Sequence, residues 1–308
     1  MLIAHYYPSA RDSYMARFEN HVIKHKFLHN HCTKDVELIY CGSASQLVKA
    51  MAAKEAYKKP IICWVWDLPY CWREWCRTDG DVRTNAHRTK YVNATADLLR
   101  KCDKVISASK YTRRVLKTQF GIESEQIYFH IDTNEIDAIP ALSQSGHVIQ
   151  ISRFVLCKRF DISIRAMKGL NRKLVCVGFS GKKYEALAKS LSVSVDFHYN
   201  VGRKTAIGLL KGAEVLVSPS VFEGWGITPI EALYCGVPVL LNDLEVFREV
   251  YGDAVPYHKR DDPDDMREKL RYLLSDKQLQ KKIVKDCQPL ISDFTAAKFA
   301  SRWEKIIK

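Results

Sequence analysis

The chain has 308 residues, 47% of them hydrophobic, and a net charge of +13 at neutral pH. That length suits two domains of about 150 residues, and the lack of repeats or low-complexity tracts excludes solenoids, fibres and disordered chains. No apolar run reaches the roughly 18 residues a membrane span needs. The opening MLIAHYYPSA lacks the basic leader and apolar core of a secretion signal, so a cytoplasmic protein is expected.

The positive excess fits three partners: nucleic acid, an anionic membrane surface, or a polyanionic small substrate. No zinc finger, RNP-type aromatic motif or helix-turn-helix pattern is visible, so nucleic acid rests on charge alone and is not expected. Peripheral contact with an anionic membrane is compatible with the charge. The ten cysteines are scattered and form no C-x-x-C pair. They read as buried thiols, with Cys71 and Cys76 left as a candidate bridge.

In chain order, residues 2–7 read as a first strand. An amphipathic helix is expected over 14–28, and His21, His25 and His29 recur there every four residues. That spacing suits a metal site or a solvated basic face, and no carboxylate or cysteine completes a ligand set. A strand at 36–41, a helix at 43–57 capped by Ser43 or Ser45, and a buried strand at 60–66 follow, the last running into Asp67. Residues 70–88 interleave Trp72 and Trp75 with four arginines. This suits a membrane interface, an acceptor pocket or an ordinary surface loop. A helix at 84–99, a strand at 103–108, a helix over 109–120 capped by Ser109 and a strand at 126–131 complete the first half.

Pro140 and a Ser/Gln/Gly cluster mark a linker at 137–146, which divides the chain into domains 1–143 and 144–308. Strands at 147–152, 173–177 and 193–198 then alternate with helices at 160–168, 182–191 and 204–211. Helices over 262–274, 276–287 and 296–307 close the chain. Regular alternation in both halves predicts two α/β, Rossmann-like, doubly wound domains with parallel sheets, facing each other across a cleft.

The stretch from Val215 to Asn242, VLVSPSVFEGWGITPIEALYCGVPVLLN, carries the most chemistry. It reads as a buried strand, a glycine-bearing loop, a short helix, a tight turn and a second buried strand. Gly224 and Gly226 let backbone approach a ligand closely. Thr228 is the expected N-cap, with Pro229 at the first helical position and Glu231 at the third. Loop amides and a helix start at the end of a parallel strand suit an anionic group such as phosphate. Glu231 reads either as a capping-box partner of Thr228 or as an acceptor from sugar or ribose hydroxyls. Glu223, in a loop among glycines, has no capping role.

This stretch resembles the signature of GT-B-fold retaining glycosyltransferases of family 4, in which two glutamates are separated by seven intervening residues around F-G-L. Here Glu223 and Glu231 flank Trp225-Gly226-Ile227, and Gly236 and Pro238 match as well. The segment VIQISRFVLCKRFDISIRAM is similar to the family's G-R-x-x-x-x-K-G motif through Arg153 and Lys158, with Ser152 and Arg159 where glycines are usual. Asp132 matches the end of the family's first domain. The family's last helix often crosses back to that domain.

The resemblance implies a hexosyltransferase that uses a nucleoside-diphosphate sugar, with no cofactor and no metal. Arg153, Lys158 and helix amides would neutralise the departing diphosphate. Glu223 would hold sugar hydroxyls, Glu231 the ribose, and the amides of Gly226, Ile227 and Thr228 the diphosphate, with Gly224 and Trp225 also in the donor-binding loop. Gly178 would let the nucleotide approach, and Tyr199 to Val201 would line the base. The acceptor would be a glycan or lipid-linked glycan. In the first half, Pro8-Ser9-Ala10-Arg11 replaces the family's Gly-Gly loop. Trp66-Asp67 stands in its histidine region, which makes Asp67 a candidate contact and His87 a weaker one. A non-catalytic sugar-nucleotide binder of the same fold, and a basic nucleic-acid-binding protein, are the rival readings.

Overall fold

The computed structural model describes residues 1–6, 26–42, 46–66, 82–142, 146–179 and 184–307, apart from the side chains of residues 82–89 and 91. The chain packs into two compact units, Met1–His130 with Ala296–Lys308, and Ile131–Thr295.

The first unit contains β1 (Leu2–Tyr6), β2 (Lys26–His29), β3 (Leu38–Cys41), α1 (Leu47–Tyr57), β4 (Ile61–Val65), α2 (Val82–Leu99), β5 (Lys104–Ser107), α3 (Lys110–Phe120) and β6 (Glu125–Gln126). Every strand pair is parallel, in the order β2-β1-β3-β4-β5-β6. β3 and β4, the sequences LIYC and IICWV, are buried at every position, as expected of strands covered on both faces. α3 begins where the Ser109 side chain accepts the Thr112 amide, and it stops at Gly121, whose φ of 65° suits glycine.

The second unit contains α4 (Thr133–Asp137), β7 (His147–Ile151), α5 (Phe160–Ala166), β8 (Leu174–Gly178), α6 (Glu185–Ser190), β9 (Val195–Tyr199), α7 (Arg203–Lys211), β10 (Ala213–Ser218), α8 (Ile227–Tyr234), β11 (Val239–Asn242), α9 (Glu245–Tyr251), β12 (Tyr257–His258), α10 (Pro263–Ser275), α11 (Lys277–Asp286) and α12 (Gln288–Ile291). Its sheet is also all parallel, in the order β12-β11-β10-β7-β8-β9. The chain thus starts in the middle, winds outward through β8 and β9, then returns to the other side through β10 to β12. In such a sheet a ligand crevice forms outside the carboxyl ends of the two strands where the winding reverses, here β7 and β10.

The last helix, α13 (Ala296–Ile307), belongs to the first unit. It buries Phe299, Trp303, Ile306 and Ile307, a stripe at helical spacing. Trp303 meets Tyr40 and Trp64 edge-on at centroid distances of 5.3 and 5.2 Å, and Lys104 Nζ donates to the Ile306 carbonyl at 2.9 Å.

Several expectations are corrected. The helix over 14–28 does not extend to its end, because Lys26–His29 forms edge strand β2 beside β1. His29 is therefore in a strand, while His21 and His25 lie outside the described residues. The strand expected at 126–131 is only Glu125–Gln126, and Ile131 instead bridges Thr295 within the second unit. The units divide after His130, earlier than the expected 143/144 boundary. Lys211 explains this: its ammonium donates to the Ile136 and Ile139 carbonyls at 2.6 and 2.5 Å, so the stretch before Pro140 packs with the second unit. The described cysteines are free thiols, and Cys71 and Cys76 lie outside the described residues. No helix among the described residues is long and apolar enough to cross a membrane.

Candidate functional site

The carboxyl ends of β7 and β10 carry the two loops singled out by their sequences. After β7 the backbone passes Ser152 and Arg153, tightens into a 3-10 turn at Leu156–Lys158, and enters α5 through Arg159 at φ 49°. That left-handed conformation is uncommon for a side chain with a Cβ. Two carboxylates anchor Arg159: Asp161, which accepts from both sides of the guanidinium fork at 3.0 and 2.9 Å, and Asp261. The turn is also held from below. Buried Gln150 donates to the Lys158 carbonyl at 2.7 Å and accepts from Ser163 Oγ at 2.6 Å.

The second loop leaves β10 at Ser218 and reaches α8. The Val221 amide donates to the Cys157 carbonyl at 2.9 Å, and Asn242 Nδ2 donates to the Ser220 carbonyl at 2.8 Å. These bonds lock the two loops to each other and to β11. Burial pushes the Cys157 thiol up, against the opposing pull of Lys158, which fits a packed thiol better than a nucleophile.

Across this junction Lys158 Nζ pairs with Glu223 Oε1 at 2.7 Å and also donates to the Phe222 carbonyl at 3.4 Å. Both side chains are largely buried, at 11% and 17% exposure. Arg153 differs: it is exposed and forms no ion pair among the described residues. Two residues singled out 65 positions apart in sequence are thus in direct contact, and exposed Arg153 precedes Lys158 on the same loop.

α8 begins differently from the expected Thr228 cap. Gly226 is the N-cap residue, at φ 90°, and Ile227 is the first helical residue. A Cβ at Gly226 would meet the Phe247 ring at 2.5 Å, so packing as well as conformation calls for glycine here. The Glu231 carboxylate accepts from Arg203 at 2.7 Å, and Arg203 also binds Glu135 at 2.7 Å. Burial pulls the Arg203 pKa down, but the two carboxylates together outweigh it and hold it above its ordinary value. Sequence reading passed over Arg203, a single arginine at a helix start whose partners lie 68 residues before it and 28 after it.

The other expected contacts fall into two groups. Gly178, Tyr199 and Val201 lie at the carboxyl ends of β8 and β9, the same end of the sheet. Gly178 has a reason internal to the protein, since a Cβ would stand 2.0 Å from the Ser152 carbonyl oxygen. Tyr199 donates to Glu185 at 3.0 Å, and burial together with that carboxylate pushes its phenol up to about 12. The Trp225 side chain is buried and packs edge-on against Phe294 at 4.9 Å, which leaves its backbone as the part available to a ligand. Glu223, Gly224, Ile227 and Thr228 are partly exposed along the loop and first turn. Asp67 and the His87 side chain lie outside the described residues.

A broad groove of about 1070 Å³ opens at the opposite, amino end of this sheet, beside Arg172, Lys173, Lys281 and Lys285. None of Arg153, Lys158, Glu223 or Glu231 lines it. There Glu214 is buried and paired with Arg172 and Lys277, a structural arrangement. No three His, Cys, Asp or Glu side chains gather as a metal site would require among the described residues.

The sequence model of a family described as glycosyl transferases group 1 matches residues 132–288, which include both loops and nearly all of the second unit. An uncharacterized glycosyltransferase of Methanocaldococcus jannaschii is 24% identical over 220 residues, 67% of this chain and 57% of that protein. The O-antigen chain mannosyltransferase RfbU of Salmonella typhimurium is 24% identical over 172 residues, 53% of this chain and 49% of that one. The matches therefore span about half the length of these relatives. Among solved structures, HepE of Anabaena in complex with UDP and glucose superposes with a TM-score of 0.77 at 15% identity, covering 100% of this chain and 99% of that one. WaaG, a glycosyltransferase involved in lipopolysaccharide biosynthesis, gives 0.74 at 16% identity, with 100% of both chains covered. At these identities the likeness establishes the fold, a pair of Rossmann-like units of the GT-B class.

Proposed function

The chain belongs to the glycosyl transferases group 1, and on that premise we propose that it moves a hexose from a nucleoside-diphosphate sugar to a glycan or lipid-linked acceptor, with retention of configuration. The observation that carries this reading is the Lys158–Glu223 contact at the carboxyl ends of β7 and β10. It places a cation suited to diphosphate and a carboxylate suited to sugar hydroxyls side by side, where a doubly wound sheet takes its ligand.

Cleavage of the sugar–phosphate bond leaves negative charge on the departing diphosphate. A fixed cation stabilises that charge more as the bond breaks than before, and so lowers the barrier. In this reading Arg153 supplies the forked donors and Lys158 the concentrated charge. The amides from Gly226 to Thr228 complete the cradle. Glu223 accepts from the sugar's hydroxyls and fixes the ring, and Glu231, held by Arg203, accepts from the ribose. The leaving phosphate oxygen takes the acceptor's proton on the face from which it departs, so no protein nucleophile is required. The +13 charge fits an acceptor presented at an anionic membrane, with the protein peripheral to it.

Incubation with UDP-, GDP- and ADP-sugars, with lipid and glycan acceptors added, and measurement of nucleoside diphosphate release tests this function. Release from one donor, lost in Glu223→Ala and retained in the presence of chelator, is expected. Binding without release under every acceptor would leave a sugar-nucleotide-binding protein, and activity restored only by a divalent ion would remove the metal-free mechanism.

A further inference from the structure

The groove of about 1070 Å³ at the amino end of the second unit's sheet is lined by six cations, Arg172, Lys173, Lys211, Lys277, Lys281 and Lys285. Among the described residues, Glu214 is the one carboxylate that lines it. Most of these charges are committed. Buried Glu214 accepts from Arg172 Nε at 2.9 Å and pairs with Lys277. Lys211 is held by the Ile136 and Ile139 carbonyls, and Lys173 pairs with Asp196 at 2.9 Å. Lys281 and Lys285 are left exposed and form no ion pair among the described residues. They stand four residues apart on α11, roughly 6 Å along its axis, and with Lys277 they form a row of about 12 Å. The other side of this helix is different. There Lys282 pairs with Asp286, and Lys269 of α10 pairs with Asp265 at 3.1 Å, both lysines lining a separate cavity. The two lysines without an acidic partner on α11 thus face the groove.

We infer that this groove is a second ligand site, for a soluble linear polyanion that bears phosphate or sulfate groups. Like charges along a concave, low-dielectric wall focus their field into it, so an anion seated there meets several cations at once. The lining also narrows the ligand class. Among the described residues no aromatic side chain lines the groove, so it offers no platform for stacked bases. None of the exposed large apolar side chains lines it either, so it lacks the apolar contact of a membrane-seated surface, and a recessed wall does not meet a flat bilayer. Four glycines, Gly146, Gly169, Gly212 and Gly236, line it with bare backbone and leave room for an extended chain. What remains is recognition by charge along a backbone. The loops that carry Lys158 and Glu223 leave the opposite end of the sheet, so this site is separate from the proposed donor site and does not depend on it.

Calorimetric titration of wild type, Lys281→Gln/Lys285→Gln and Lys269→Gln/Lys282→Gln with tripolyphosphate and with a heparin-derived hexasaccharide tests the assignment. The third protein loses the same charge away from the groove. Any binding at the donor loops is common to all three, so the groove variant reads the groove alone. Wild type and the third protein are expected to bind alike, and the groove variant about tenfold more weakly, with the difference shrinking as salt rises. Tripolyphosphate binding with that pattern would show that phosphates suffice. The pattern with the hexasaccharide alone would assign the site to charges spaced along a glycan. Equal affinities in all three proteins, or no binding of either probe by wild type, would overturn the inference. An equal loss in both variants would also overturn it, because total charge rather than the groove would then hold the anion. Tighter binding of phosphatidylglycerol vesicles or of a single-stranded oligonucleotide, lost in the groove variant, would overturn the ligand class.

Discussion

Lys158 Nζ lies 2.7 Å from Glu223 Oε1, which joins the loops that leave β7 and β10 by one largely buried ion pair. Removing either partner strands the other charge away from water, which costs about 3–5 kcal/mol for a fully buried pair and somewhat less at this exposure. Removing both avoids that cost. The Lys158→Ala and Glu223→Ala variants are therefore expected to be destabilised by more, in sum, than the double variant, with a coupling of about 1–3 kcal/mol in urea denaturation. Additive losses would mean that the pair holds nothing together. In binding assays Lys158→Ala should weaken nucleoside diphosphate and sugar donor alike.

Arg203 bridges Glu231 and Glu135, and a forked guanidinium can satisfy both where an ammonium serves one well. Arg203→Met is expected to cost about 2–3 kcal/mol of stability, since two carboxylates lose their shared cation. Arg203→Lys should fold nearly normally but let the Glu231 carboxylate wander. If Glu231 holds the ribose, that variant's donor KM rises about tenfold while kcat stays close to wild type. An unaltered KM in a folded Arg203→Lys protein would separate Glu231 orientation from donor binding.

Legibility in the sequence followed the range over which each feature is determined. The strands of the second unit were readable because strands covered on both faces are apolar runs, as at Leu174–Gly178 and Val239–Asn242. Glu223 with Glu231, and Arg153 with Lys158, stood out through their resemblance to a family's motifs, and of these four residues Lys158 and Glu223 are in direct contact. β2 was not: KFLH continues a charged, helix-like pattern, and its partly exposed edge position gives no apolar run. The division after His130 depends on Lys211 reaching back to Ile136 and Ile139, while Pro140 signals only a local turn. At α8, Thr228 has the better capping chemistry, but the close approach of Phe247 and a φ of 90° select Gly226. The reason for Gly178 is likewise a carbonyl from another loop, which no local pattern reveals.

Those two glycines should respond differently to alanine. At Gly178 the obstacle is the Ser152 backbone carbonyl, 2.0 Å from the added Cβ, and relief requires the cation loop itself to move. At Gly226 the obstacle is the edge of the Phe247 ring, 2.5 Å away, and a positive φ adds strain of about 1–2 kcal/mol. Gly178→Ala is expected to lose donor binding together with stability. Gly226→Ala should be partly rescued by Phe247→Leu, which makes room but leaves the strain. Equal behaviour of the Gly226→Ala protein with and without Phe247→Leu, by thermal melting, would show that backbone strain alone limits that site.

His147 and His258 set the expected pH dependence of stability. Burial is the main cause at both and lowers both pKa values. The carbonyls of Leu209 and Lys259, which accept from the two rings, only partly oppose it. An unfolded histidine titrates near about 6.5, so as pH falls below that value the unfolded chain takes up protons before the folded one does. The stability is therefore fully present above about pH 6.5 and declines as pH falls through the depressed folded values. Glu214 acts in a lower window. Burial raises its pKa, but Lys277, Arg172 and Gln280 outweigh that, so its contribution is lost only as pH falls below about 4. Urea denaturation from pH 7.5 to 5 should show decreasing stability, and the slope should flatten in a His147→Gln/His258→Asn variant, which keeps a donor toward each carbonyl. A flat wild-type profile over that range would mean that the histidines are no harder to protonate in the fold than out of it.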